Sequence, residues 1–216
     1  MLTLLGSKVS AADVYWIATA FLSIYICHLT LYILLPYLVT MIMDGQAAAV
    51  VARRINCMKL SRFSVDIGIM IWFSFLGFEV LHDFAGWSSF VTDGSDAVSR
   101  VYRFSSSGVF LARLQVAYEA KNLVDSFVFG DGIVFVFHHI ITGFLAFFAL
   151  HPYLHIYSSF FFGISEVSTV ALCVLACFDE SRGLLDSKGK NLFAQLYPAT
   201  MKIVGIVFAL LFVAIR

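Results

Sequence analysis

Charge is scarce in this chain. Of its 216 residues only 13% are Asp, Glu, Lys or Arg, while 61% are hydrophobic and 16% aromatic, and the mean hydropathy is +0.91. A water-soluble domain is excluded by such a composition. The fourteen basic and fourteen acidic side chains cancel, so no basic excess draws the molecule to nucleic acid or to an anionic membrane face. Cysteine is equally thin. Cys27, Cys57, Cys173 and Cys177 are scattered and none forms a CxxC pair, which argues against both a zinc site and a disulfide scaffold. The six histidines are too few to fill the several boxes of a membrane di-iron oxygenase, and "HPYLH" at 151–155 is a lone HxxxH in a proline-containing turn. No internal repeat and no linker divides the chain. Metal and cofactors are therefore expected to be absent.

What the chain has in abundance is apolar length. Val14 to Met43 contains no charged residue and exceeds the roughly 20 apolar residues needed to cross a hydrocarbon core. Pro36 is expected to end or kink it. The segment is too long for a signal-peptide core, so it is read as an anchor helix over 14–43. A second span is expected over about Val65–Leu81, followed by the polar loop "GWSSFVTDGSDAVSRVYRFSSSG". From Gly132 to Phe178 the one charged residue is Glu166, and "HPYLH" divides that run into two helices. A last span covers about Gln195–Ile215.

Gly108–Gly130, "GVFLARLQVAYEAKNLVDSFVFG", carries four charges and could lie on the membrane surface as an amphipathic helix. Counting basic residues favours a crossing instead. Arg53, Arg54, Lys59 and Arg62 follow the first span, and Arg182, Lys188, Lys190 and Lys202 stand before or in the opening turns of the last. Both groups belong on one side under the positive-inside rule, which requires an even number of crossings between them and makes about six helices in all. At 100° per residue Gln115, Tyr118, Glu119, Asn122, Asp125 and Ser126 share one arc. His138 and Thr142 stand one turn apart on the next helix, with His139 about 100° round. Ser159, Gly163, Glu166, Thr169, Cys173 and Cys177 form a small and polar stripe on the one after. These stripes are expected to face a common interior. An ionised Glu166 there costs on the order of 3 kcal/mol unless paired, and its expected partners are His138 or His139 and the polar face of the third helix. A histidine oriented by a carboxyl group is the minimum equipment for general-base or nucleophilic catalysis on an acyl group.

At "FHHIITGFLAF", "SEVSTVAL" and "VAYEAKNLVDSF" the chain resembles the TLC-domain family, the membrane fold shared by ceramide synthases and several lipid-homeostasis proteins. The resemblance covers roughly Val65 to Arg216 and carries the family's paired histidines onto His138 and His139. The Glu-Val-Ser-Thr signature of the non-ceramide-synthase branch falls on Glu166, Val167, Ser168 and Thr169. It implies an all-α, polytopic membrane protein with a TLC-type helical barrel around a lipid-facing cavity, one transmembrane domain over 1–216. On this reading His138, His139 and Glu166 are the candidate catalytic residues, and Gln115, Tyr118, Asn122, Thr142 and Thr169 the candidate lipid-binding ones. Asn122 stands where family members tend to have an acid, and the ceramide-synthase signature is missing, which argues against ceramide synthesis.

Alternatives stay open at this level. The histidine pair can serve packing alone, His28 opposite His138 or His139 can be read as a haem ligand pair, and Glu166 can be a protonated structural donor. Cys173 and Cys177 read as helix-packing residues. Family members normally continue through a further helix beyond the position of Arg216, so an incomplete barrel is expected, closed by membrane lipids or by other membrane subunits. The chain is accordingly read either as a lipid-handling protein, with the endoplasmic reticulum implied by the resemblance, or as a non-catalytic accessory subunit of a larger membrane complex, in which case the mitochondrial inner membrane fits.

Overall fold

The computed structural model describes residues 9–42, 45, 49, 51, 53–84, 102–151, 155–179, 182–186 and 188–215. Most of the expected leader and of the polar loop, Pro152 with its two following residues, and Arg216 lie outside them. The protein is an all-α membrane protein. In chain order its helices are α1 (Ala11–Ile42), α2 (Arg54–Asp83), α3 (Ser106–Phe129), α4 (Ile133–Phe148), α5 (His155–Ser158), a π-helical segment (Ser159–Ile164), α6 (Glu166–Ala176), α7 (Leu192–Leu196) and α8 (Pro198–Ile215). Ala11–Ile42, Asn56–Asp83, Ser159–Ala176 and Pro198–Ile215 are long and apolar enough to cross a membrane, and Ile133–Phe148 is a shorter apolar helix. Four helices thus meet that length and hydropathy among the described residues, against about six crossings expected from the charge count, and α3 is not one of the four.

Several boundaries follow from local chemistry. Ser105 caps α3: its Oγ accepts from the Gly108 N–H at 2.8 Å and donates to Asp83 at 2.7 Å. The serine run expected as loop thus holds a helix start. Pro36 sits inside α1 without ending it. The last span starts at Pro198 rather than near Gln195, because Tyr197 adopts φ −133° and ψ 55°, outside the helical region that a following proline disfavours.

The chain forms two compact units, one of Met1–Ile24 with Trp72–Ile164 and one of Tyr25–Ile71 with Ser165–Arg216. In the first, α3 packs along α4 and also meets α5 and the π-helical segment. The α3–α4 connection is "GDG": Gly130 at φ 68° ends α3 and Gly132 at φ 97° opens α4. Positive φ is a glycine conformation, and so short a turn returns the chain antiparallel to itself. Below the start of α3, the buried His155 ring accepts the Ser105 N–H at Nδ1, 3.1 Å, and Nε2–H donates to the Ala149 carbonyl at 2.9 Å. Both bonds need the neutral ring with its proton on Nε2. Burial pushes its pKa below the usual histidine value, against the raising effect of the Ala149 carbonyl.

In the second unit the two basic stretches touch. Asn56 donates to the Leu185 carbonyl at 3.0 Å and accepts the Leu185 N–H at 3.2 Å, while Lys59 Nζ reaches the Gly183 carbonyl at 3.0 Å. The residues around Arg53 and around Lys188 therefore share one end of this unit, as the charge count expects. Beneath them Val39, Val51, Leu184 and Leu192 form one buried cluster and Phe63, Cys177 and Phe178 another. Helix α8 has no buried residue. Side chains such as Ile203, Ile206, Leu210 and Val213 are exposed, as suits a lipid-facing helix, where hydrocarbon is the solvent.

One prediction concerns backbone contact in the first unit. A Cβ on Gly77 of α2 would stand 2.6 Å from Gly163 Cα and 2.8 Å from the Ser159 carbonyl oxygen. Those are backbone atoms that cannot swing away. Gly77→Ala is expected to destabilise by about 1–3 kcal/mol or more, read as a lower unfolding midpoint in detergent. Gly68→Ala, on the same helix with nothing within 4 Å, is expected to be neutral or to stabilise by up to about 1 kcal/mol through helix propensity.

Candidate functional site

Helix α3 buries its polar stripe. Gln115, Tyr118, Glu119, Asn122, Asp125 and Ser126 are all buried, which matches the arc expected from periodicity and does not suit a helix lying flat on the surface. Glu119 faces α4. A Cβ on Gly143 would come to 3.3 Å from Glu119 Cβ, so the missing side chain of Gly143 lets the two helices approach at that level. His139 lies one turn before Gly143 on the same face of α4. Its Nδ1 meets Glu119 Oε2 at 2.6 Å, with 4% of the glutamate side chain and 11% of the histidine side chain exposed.

Gln115, one turn earlier on α3, donates from Nε2 to Glu119 Oε1 at 2.7 Å. Both carboxylate oxygens are thereby engaged. Nδ1 is the ring nitrogen that meets the carboxylate, and Nε2 is the one left for other contacts. The exposed His138 ring packs edge-on to His139 with centroids 5.2 Å apart. One donor atom from each of Glu119, His138 and His139 lies within 4.8 Å of the other two, so these three can hold a metal ion. Among the described residues the buried Gln115 Oε1 has no hydrogen-bond partner.

A second polar cluster lies round the same helix. Lys121, with 0% side-chain exposure, stands 2.9 Å from Asp125 Oδ2, donates to Asn122 Oδ1 at 3.1 Å and lies 5.7 Å from the centroid of the Tyr118 ring. Tyr118 packs edge-on against Phe73 at 5.7 Å. Lys121 falls outside the arc drawn from periodicity, and its signal in the sequence is the i, i+4 spacing to Asp125.

Of the sequence-expected residues, the structure joins Gln115 to the histidine pair through Glu119 and gathers Tyr118 and Asn122 around Lys121. Thr142 is half-buried on α4. Glu166 is buried in the first turn of α6, with Thr169 half-buried one turn on. Both belong to the second unit. The carboxylate found on His139 is Glu119. The stripe drawn through Ser159, Gly163 and Glu166 assumes 100° per residue throughout, whereas Ser159–Ile164 is π-helical, which changes the angular step within that segment.

Comparison with known proteins yields one finding. The sequence profile of the TLC domain matches residues 60–216, slightly more than the stretch over which the motifs place it. No curated protein and no solved structure matches the chain.

The sealed ion pair generates a prediction. Removing one partner of a buried pair leaves the other charge uncompensated and costs about 3–5 kcal/mol, whereas replacing both by apolar residues is often neutral. Lys121→Met is expected to lower stability by that amount in detergent, and adding Asp125→Leu to recover most of it.

Proposed function

Because the chain belongs to the TLC-domain family, we propose that it handles membrane lipid at the α3–α4 site, with His139 as base, His138 as the lipid-contacting neighbour and Glu119 as the orienting carboxylate. Acyl transfer is the step this arrangement suits. His139 Nε2 takes the proton of an attacking hydroxyl or amine as that group bonds to the acyl carbon, and the departing carrier leaves with a proton returned from the same ring. Glu119 holds the tautomer and stabilises the imidazolium that forms, and Gln115 holds Glu119. The observation that carries the reading is the 2.6 Å Glu119–His139 contact beside an exposed second histidine.

Lipid reaches such a site from the membrane itself, through the exposed edge of α4, where Ile140, Ile141 and Phe144 are uncovered. Thr142, one turn from His138, and Tyr118 and Asn122 on α3 are further candidates for head-group or ester contacts. Glu166 and Thr169 stay candidates within the second unit, to be judged by the same measurement.

Replacing the base of such a reaction costs about 10²–10⁴-fold in rate. His139→Ala and Glu119→Gln, expressed as the full chain in membranes and checked for folding by their unfolding midpoints, are expected to shift the cellular lipid profile and the lipids that copurify. An unchanged profile in both, with unchanged copurifying lipid, overturns the reading and leaves a scaffold that retains the fold as an accessory subunit.

A further inference from the structure

The sequence, with scattered cysteines and few histidines, argues against metal. The structure brings a third ligand to the histidine pair. We propose that Glu119, His138 and His139 bind one divalent transition-metal ion of the zinc class, with one coordination position left open for an oxygen of water or lipid.

Three observations carry the inference. The donor atoms of the three side chains all lie within 4.8 Å of one another, close enough for one ion at the centre to reach each at a bond length of about 2.0–2.2 Å after small side-chain rotations. Two imidazoles and one carboxylate form a ligand set that holds zinc with a free fourth position in metalloproteases. That set also suits other first-row ions. The third observation is the support behind the carboxylate: Gln115 donates to Glu119 Oε1 at 2.7 Å, leaving Oε2 for the ion. Outer hydrogen bonds of this kind orient metal ligands. The buried Gln115 Oε1 lacks a partner among the described residues, so the amide is held by the carboxylate alone.

The 2.6 Å separation of His139 Nδ1 and Glu119 Oε2 is that of a short hydrogen bond. Two ligands on one tetrahedral ion stand roughly 3.3 Å apart at such bond lengths. The ion therefore replaces the proton, which leaves to solvent, and the pair opens by a fraction of an ångström. His138 is exposed, so the ring turned toward lipid closes the triad and leaves the open position on that side. The inference concerns the same site as the lipid reading and rests on it only for the identity of the oxygen ligand; with the ion bound, Glu119 and His139 serve as ligands instead of as an acid–base pair, and activation of the attacking group falls to the open coordination position.

The test uses the full chain, purified in detergent without a histidine tag, stripped with a chelator and titrated with zinc chloride and, separately, cobalt chloride. One ion per chain and the visible bands of tetrahedral or five-coordinate cobalt are expected. His138→Gln, at an exposed position where folding is not at risk, is expected to weaken binding at least 100-fold, and Gln115→Leu by about 10- to 100-fold. Substoichiometric binding by the wild type, octahedral cobalt bands, or equal affinity in His138→Gln and Glu119→Gln overturns the inference. Failure of the metal with a lipid profile that still depends on His139 leaves the lipid reading standing. Metal bound with an indifferent lipid profile removes that reading and keeps the ion.

Discussion

The contact between Glu119 and His139 is the interaction on which the α3–α4 half of the molecule turns. Lipid offers no water to a carboxylate, so a helix bearing Gln115, Glu119, Lys121, Asn122 and Asp125 enters a membrane only if each finds a partner inside the protein. Glu119 finds two, Gln115 from its own helix and His139 from the next. The second requires α4 to run back along α3, which the Gly130-Asp131-Gly132 turn accomplishes. It also requires the helices to approach closely at the level of the carboxylate, which Gly143 permits. Each of these features is modest alone, and the ion-paired geometry exists because they coincide.

The two polar clusters of α3 differ in how they are buried. Lys121 and Asp125 have 0% and 3% side-chain exposure. No substrate reaches them, and the size of the cost of exposing one charge explains why they are paired. Around Glu119 the burial is graded instead, from 4% through 11% at His139 to an exposed His138. The contacts run from a sealed carboxylate to an exposed ring, the arrangement the proposed site requires, because an orienting group must be fixed while a reacting group stays accessible.

Helix class and polar faces were legible in the sequence because each depends on spacing along one segment. The arc from Gln115 to Ser126 is buried as periodicity implies, and the motif order around His138, His139 and Glu166 pointed to the family whose profile matches. What spacing cannot supply is the neighbour a face meets. Glu166 looked like the partner of the histidines because it is the one charge in a long apolar run, yet Glu119 stands on His139. The short glycine turn between α3 and α4 was the available signal, since sequential helices joined by so few residues pack as antiparallel neighbours. The π-helical stretch at Ser159–Ile164 carries no such signal: "SFFFGI" reads as ordinary apolar helix, and the close backbone approach of Gly77 and Gly163 arises only in the folded state. Lys121 escaped because a charge off the polar arc looks solvated until a neighbouring helix covers it.

The most direct test of the account is the coupling energy between Glu119 and His139, measured as a double-mutant cycle of Glu119→Gln and His139→Gln on unfolding of the purified full chain in detergent. Contacting residues in one hydrogen-bonded network couple by about 0.5–3 kcal/mol, while independent sites add within about 0.3–0.5 kcal/mol. A favourable coupling above about 1 kcal/mol is the predicted result, and additivity of the two substitutions contradicts it.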